Sequence, residues 1–178
     1  MTSPARTTQA QVAATALTFD EMLRHNEEET TRWHEWFHAH PEALDVPLDI
    51  AGMKDMRGML LHIFVVEQLY TERLRKEQRE RFSYDDFPSN SLDELFGVGA
   101  EARRQFRRLL DAGTDAYWAE VITFDTKTSG TLSNTRRKMF AHAMLHSIRH
   151  WAQLATALRQ AGLPELGKHD FIFSNVIE

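Results

Sequence analysis

The sequence predicts an all-α protein, a four-helix bundle, and three observations lead to this fold class. Apolar residues recur at helical spacing along four long segments, a pattern typical of amphipathic helices. The 178 residues include only 8 glycines and 5 prolines, so residues that break helices are few. The longer connection before the last helix is expected to be a short hairpin or an ordered loop. One domain over residues 1–178 suits this length, with residues 1–16 expected as a frayed N-terminus.

The first helix is predicted over residues 18–40. Thr18 and Glu21 have the spacing of a capping box, in which each side chain bonds the other residue's backbone N–H. Pro41 ends the helix, because proline cannot continue the backbone hydrogen bonding. Residues 47–52 are then expected to form a loop.

The second helix is predicted over residues 54–79, and its middle, residues 59–66, is apolar nearly all round. We therefore expect it to be the most buried helix. The third helix starts at a second capping box, Ser91 to Glu94, and runs towards Trp118.

The fourth helix is predicted from residues 133–135 to Ala161, with Gly162 as the residue that follows its C-terminus. Residues 121–133, just before it, form the expected hairpin or loop. After the helix, the apolar residues 171–173 are expected to pack back on the bundle.

Composition excludes several classes of protein. The chain has 21 Lys plus Arg against 26 Asp plus Glu, a net charge of -5, which argues against a nucleic-acid partner. With no cysteine it has neither disulfides, nor a cysteine nucleophile, nor thiolate metal ligands. No segment reaches the roughly 18 apolar residues of a membrane helix, and the N-terminus does not resemble a signal peptide. We expect a cytoplasmic protein that does not bind membranes.

Three histidines follow one another at intervals of four residues on the fourth helix: His142, His146 and His150. Residues four apart share a helix face, so two of these imidazoles can bind one metal ion. On a helical wheel His150 borders the apolar face, His146 comes next, and His142 points furthest outwards. If two of them bind metal, the wheel favours His146 and His150. The alternative is a polar seam in which each ring is simply hydrogen-bonded.

His62 lies in the apolar middle of the second helix and is the candidate for a third ligand. An unpaired imidazole is costly in such surroundings, so it needs a metal, a carboxylate or a carbonyl as partner. Glu67 is about 140° round the helix, which indicates a supporting group behind the site or a surface group. Three histidines would leave open positions on the metal, as catalytic sites do, and such ligands suit Zn, Ni, Fe or Cu.

From Leu17 to Phe173 the chain resembles the DinB/YfiT-like metalloprotein superfamily. The fourth-helix pattern of that family is a histidine, three residues, a histidine, three residues, then His-Arg-Gly-Gln-Leu. The segment from His142 to Leu154 follows it, except that Trp151-Ala152 replaces Arg-Gly. The second-helix part of the resemblance is His62, with Glu67 after it.

The resemblance implies an antiparallel bundle with up-down-down-up connectivity, often dimeric, so a homodimer is expected. It also implies that His62, His146 and His150 bind one divalent metal ion (Zn, Ni or Fe). Some similar proteins are thiol S-transferases that use low-molecular-weight thiols such as bacillithiol or mycothiol.

The sequence thus favours a metal-dependent transferase or hydrolase that acts on a small molecule, with a low-molecular-weight thiol as possible cosubstrate. His142 is a candidate for a supporting group or proton carrier near the metal. Glu67, Tyr70 and Arg149 are weaker candidates for substrate contacts. The alternative is a stress-response bundle that binds a metal or ligand without turnover.

Two other clusters have simpler interpretations. Four arginines of the third helix, at positions 103, 104, 107 and 108, could dock an acidic partner, but a solvated helix face is favoured. Trp33, Trp36 and Phe37 are interpreted as core or dimer contacts.

Overall fold

The structure is a computed structural model that describes residues 16–77, 79, 83–126 and 129–177. The predicted frayed N-terminus, except residue 16, lies outside this part of the chain. The described part is mostly helical, as predicted. Its helices are α1 (Phe19–Ala39), α2 (Met56–Leu74), α3 (Leu92–Ala112), α4 (Asp115–Ala119) and α5 (Arg136–Gln160). Its strands are β1 (Pro47–Ile50), β2 (Met53–Asp55), β3 (Val121–Thr126) and β4 (Gly130–Thr135).

The four long helices pack around a shared interior. Both α1 and α2 pack against α3 and against α5. Trp33 of α1 stacks on Trp151 of α5 with ring centres 5.4 Å apart, and both rings are buried. Phe64 of α2 meets the Trp151 ring at 5.9 Å. Trp33, Trp36 and Phe37 are therefore core residues, the first of the two predicted roles.

Both predicted capping boxes are confirmed. The Thr18 side chain accepts from the Glu21 backbone N–H, and the Glu21 carboxylate accepts from the Thr18 backbone N–H at 2.6 Å. Ser91 and Glu94 make the same pair of bonds at the start of α3. At the end of α5, Gly162 has φ +75°, as expected of the residue after a helix C-terminus.

Two helices end earlier than predicted. α2 stops at Leu74 rather than at residue 79, because Lys76 has the left-handed φ of 61° and turns the chain. α3 stops at Ala112, where Gly113 has extended backbone angles, and Thr114 then caps the separate short helix α4. The predicted continuation of α3 towards Trp118 is therefore wrong.

Two antiparallel hairpins flank the helices. β1 lies in the segment predicted as a loop, and β2 includes residues 54 and 55, the predicted start of the second helix. The turn between them, at Ala51 and Gly52, has positive φ at both positions. Such a turn matches the twist of paired strands. β3 and β4 pair from Val121↔Thr135 to Thr126↔Gly130, which confirms the hairpin option for the connection before the last helix.

The C-terminal tail packs through a different residue from those predicted. Val176 is buried, and its carbonyl accepts from Arg24 at 2.9 Å. The Phe171 ring contacts the His25 ring, but Ile172 is 82% exposed and Phe173 is also exposed. Among the described residues, no helix is both long and apolar enough to cross a membrane.

Candidate metal centre

Three histidine nitrogens from two helices meet at one point. His62 comes from α2, and His146 and His150 lie one turn apart on α5. The Nε2 atom of His146 lies 3.2 Å from His62 Nε2 and 3.0 Å from His150 Nε2. One ligand atom of each residue falls within 4.8 Å of the others, a spacing that could hold a metal ion.

The helical wheel predicted the order of burial on α5 correctly. His150 is 2% exposed, His146 is half-buried and His142 is exposed. The order follows from the α2–α5 contact, which covers the side of α5 that carries His150. His142 lies next to the site, with its ring centre 5.9 Å from that of His146.

Hydrogen bonds on the outer nitrogens orient two of the rings. His150 Nδ1 lies 2.6 Å from Gln153 Oε1, and a carbonyl oxygen can only accept. His150 Nδ1 therefore carries the proton, and Nε2 presents its lone pair to the other histidines. His62 Nδ1 lies 2.7 Å from the Tyr84 hydroxyl, which can accept or donate.

The three rings are held in the neutral form that binds metal. Burial, and next the nearby His150, lower the pKa of His62 to about 4. Burial, followed by its histidine neighbours, lowers the pKa of His146 to about 3. Burial also lowers the pKa of His150. At neutral pH all three imidazoles are therefore uncharged.

Neutral rings in this arrangement cannot satisfy one another by hydrogen bonds. Because His150 Nε2 has a lone pair, a hydrogen bond between His150 and His146 requires a proton on His146 Nε2. That single N–H cannot also make a full hydrogen bond to His62 Nε2. Any other placement leaves two lone pairs or two protons facing each other at 3.0 or 3.2 Å. A divalent cation would receive all three lone pairs, so the residues fit a metal.

The candidate metal centre opens into a cavity of about 870 Å³. His62, His146, His142 and Tyr84 line it together with apolar side chains of α2. Of the predicted substrate contacts, Tyr70 lines this cavity, and its ring centre lies 5.2 Å from that of His142. Arg149 is exposed and does not line the cavity.

Glu67 is fully buried and lies outside the cavity, which excludes a position at the surface. Its Oε1 accepts from Arg103 at 2.9 Å and from the Ser147 hydroxyl at 2.6 Å. Ser147 follows His146 directly, so Glu67 is linked to the helix that carries two of the histidines. Arg103 is 5% exposed, which corrects the prediction that the arginines of α3 form a wholly solvated face.

Sequence reasoning missed Gln153 and Tyr84. Gln153 could have been found, since it lies three residues after His150 and so shares its side of the helix. Tyr84 lies in a short 3₁₀ turn, where no periodic pattern indicates which way a side chain points.

Comparison with known protein families identifies the family of this chain. The sequence model of the DinB family matches residues 9–172. No curated protein matches the chain.

Proposed function

Because the chain belongs to the DinB family and brings three imidazole nitrogens together, we propose that it is a metal-dependent enzyme. His62, His146 and His150 would hold one divalent ion, Zn, Ni or Fe. The reaction proposed is a transfer or hydrolysis on a small molecule, with a low-molecular-weight thiol as cosubstrate. The observation that carries this proposal is the convergence of the three Nε2 atoms beside an open cavity.

The donor set and the cavity together favour catalysis over a purely structural role. Structural zinc sites are filled by four protein ligands, whereas catalytic sites have three and keep a position open. A divalent ion at such a site lowers the pKa of a bound water or thiol and so supplies a nucleophile near neutral pH. Since the chain has no cysteine, a reacting thiol has to come from a cosubstrate.

The surrounding residues have separate roles in this proposal. Gln153 and Tyr84 fix the ring orientations of His150 and His62. His142 lies on the cavity wall, where partial burial, followed by the charge of Arg149, lowers its pKa, so it is neutral near pH 7 and able to accept a proton.

The substrate would lie along α2. Val66 and Leu69 give this wall an apolar surface, and the Arg73 guanidinium lies 5.1 Å from the Tyr70 ring centre. The cavity lining also includes Asp125 and the ion pair of Glu72 with Arg79. The apolar wall beside Arg73 suits a molecule that combines an apolar body with an anionic group. Tyr70 is proposed to contact it.

The finer features of the fold are also proposals. The four long helices would run antiparallel in up-down-down-up order, and two chains would form a homodimer. The resemblance of residues 17–173 to the superfamily supports both, and the pairing of α1 and α2 with α3 and α5 supports the helix arrangement.

A thiol-transfer assay tests the proposed reaction. Untagged protein loaded with Zn, Ni or Fe is incubated with bacillithiol or mycothiol and a panel of electrophilic acceptors, and products are identified by mass spectrometry. We expect a thiol–acceptor product from the wild type and at least a 100-fold lower rate from His146→Ala. The matched control His40→Ala alters a histidine outside the cavity and should keep the rate.

Equal rates in the wild type and His146→Ala would contradict the proposal. Metal binding without turnover on any acceptor would favour the alternative, a bundle that binds a metal or ligand without catalysis.

A further inference from the structure

A second group of potential metal ligands lies between α1 and α3. His34 and His38 are one turn apart on α1, and Asp93 is in the first turn of α3. His34 Nε2 lies 3.1 Å and His38 Nε2 lies 3.0 Å from the same oxygen, Asp93 Oδ1. The three ligand atoms lie within 4.8 Å of one another. None of these residues belongs to the candidate metal centre.

Neighbouring contacts hold this cluster in place. The His34 ring stacks on the buried Phe96 ring with centres 4.3 Å apart. Asp93 lies inside the capping box formed by Ser91 and Glu94, so the backbone that carries it is fixed. The hydrogen bonds from His38 and His34 lower the pKa of Asp93, which is therefore a carboxylate at neutral pH.

Two imidazoles at a spacing of four residues and one carboxylate form a common ligand set for first-row divalent metals. In the present hydrogen bonds both imidazoles carry a proton on Nε2, and Asp93 Oδ1 accepts from both. A shift of each imidazole proton from Nε2 to Nδ1 would make both Nε2 lone pairs available to a metal ion.

The cluster is open to ions from solution. The side chains of His34, His38 and Asp93 are 34%, 54% and 74% exposed. A groove of about 800 Å³ between α1 and α3 is lined by His34 and Asp93. Four arginines line the same groove, at positions 103, 104, 107 and 108. Arg103, Arg104 and Arg107 pair with carboxylates, whereas Arg108 makes no ion pair in the described part of the chain. Three of the four positive charges are thus compensated.

We propose that His34, His38 and Asp93 form a second divalent-metal site that links α1 to α3 at the protein surface. Its metals are those that bind imidazole well, Zn and Ni. Water fills the remaining positions of the ion, because the ligands are exposed. The site therefore binds metal more weakly than the buried histidines of the candidate metal centre.

The test uses His62→Ala, which removes one ligand of the candidate metal centre and leaves the surface cluster intact. Untagged, chelator-stripped protein is titrated with Zn²⁺ against a colorimetric zinc indicator, with circular dichroism to verify folding. We expect one zinc per chain in this background. Adding His38→Ala should weaken that binding at least 10-fold, whereas adding His40→Ala, a matched change at the end of the same helix, should leave it unchanged.

A second variant covers the case in which His62→Ala does not fold. Asp93→Asn in the otherwise unchanged chain replaces an exposed side chain and should lower the zinc stoichiometry by one. The proposal is overturned if zinc binding is the same with and without His38, or if Asp93→Asn binds as much zinc as the wild type. A wild type that binds one zinc, sensitive to His38 but not to His62, would retain this site and contradict the metal centre of the proposed function.

Discussion

Gln153 determines which nitrogen of His150 faces the other two histidines. Its Oε1 atom accepts from Nδ1 at 2.6 Å, and this bond fixes both the tautomer and the orientation of a ring that is 2% exposed. Without the acceptor, the proton could move to Nε2 and remove the lone pair from the candidate metal centre. Metal affinity should therefore depend on a residue that does not bind the metal.

Replacing Gln153 by Leu should weaken zinc binding about 10-fold, the lower end of the range for groups that support a metal ligand. Gln153→Glu keeps an acceptor and should retain affinity. Gln160→Leu, at the exposed end of the same helix, is the control. Zinc affinities are compared by competition with a chromophoric chelator. An unchanged zinc affinity in Gln153→Leu would show that His150 needs no hydrogen-bond acceptor at Nδ1.

At the scale of single residues, the sequence predicts the burial of the histidines better than it predicts their hydrogen-bond partners. The spacing of His142, His146 and His150 ranks their burial correctly, because position on a helix fixes the direction of a side chain. The hydrogen bond between His62 and Tyr84 joins residues 22 positions apart, and Tyr84 lies in a short 3₁₀ turn, so no local pattern specifies this bond.

One buried polar network joins three of the long helices. Glu67 of α2 accepts from Arg103 of α3 and from Ser147 of α5. Burial raises the pKa of Glu67, and the Arg103 charge opposes that shift. No sequence pattern predicts this network, because the position of Glu67 on its own helix does not reveal which residues of α3 and α5 face it.

Replacing Arg103 by Met should destabilise the fold by about 3–5 kcal/mol, since it leaves a buried carboxylate without its counter-charge. Arg104→Met is the control, because Arg104 and its partner Glu101 are both exposed and such pairs contribute about 1 kcal/mol or less. The measurement is urea unfolding of the metal-free protein. Similar losses of unfolding free energy in the two variants would contradict the role of Arg103 as the counter-charge of Glu67.

The contact between α2 and α3 depends on a glycine. A Cβ atom at Gly99 would lie 2.4 Å from Cδ1 of the buried Phe64 ring, whereas one at Gly97 would meet nothing within 4 Å. Gly99→Ala should therefore destabilise the protein by about 1–3 kcal/mol through overpacking.

Gly97→Ala, on the same helix, should stabilise the protein by up to about 1 kcal/mol through its higher helix propensity. The two midpoints of thermal unfolding should move in opposite directions. If both unfolding midpoints moved in the same direction, α2 and α3 would not be in close contact at Gly99.

Helix starts were more predictable than helix ends and strands. Capping boxes at Thr18 and Ser91 are local signals, and both are confirmed. The end of α2 depends on Lys76 in a left-handed conformation, which its residue type does not indicate. The β1–β2 turn uses Ala51-Gly52 rather than Asn-Gly, so the strongest hairpin signal is missing.

Across the whole molecule, buried neutral histidines should make the metal-free protein sensitive to acid. The folded-state pKa values of His62 and His146, about 4 and about 3, lie below the unfolded value of 6.5. Between pH 6.5 and these lower pKa values, the unfolded chain binds protons that the folded chain does not. The stability from these groups is therefore present above pH 6.5 and lost as pH falls towards 4.

The free energy of unfolding of the metal-free protein should thus decrease as pH falls from 6.5 to 4.5, each such histidine contributing up to about 1.4 kcal/mol per pH unit. Urea unfolding across this range measures the slope. His146→Gln removes one of the groups and should reduce the slope, and an identical slope in that variant would rule out His146 as a source.

The most direct test of the account is the metal content of the whole protein. Untagged wild type, His62→Ala, His146→Ala and the control His142→Ala are loaded with zinc, dialysed, and measured by inductively coupled plasma mass spectrometry. The account predicts that the wild type and His142→Ala retain one more zinc per chain than His62→Ala and His146→Ala. Equal metal content in all four proteins would contradict it and leave the converging histidines as a hydrogen-bonded polar seam.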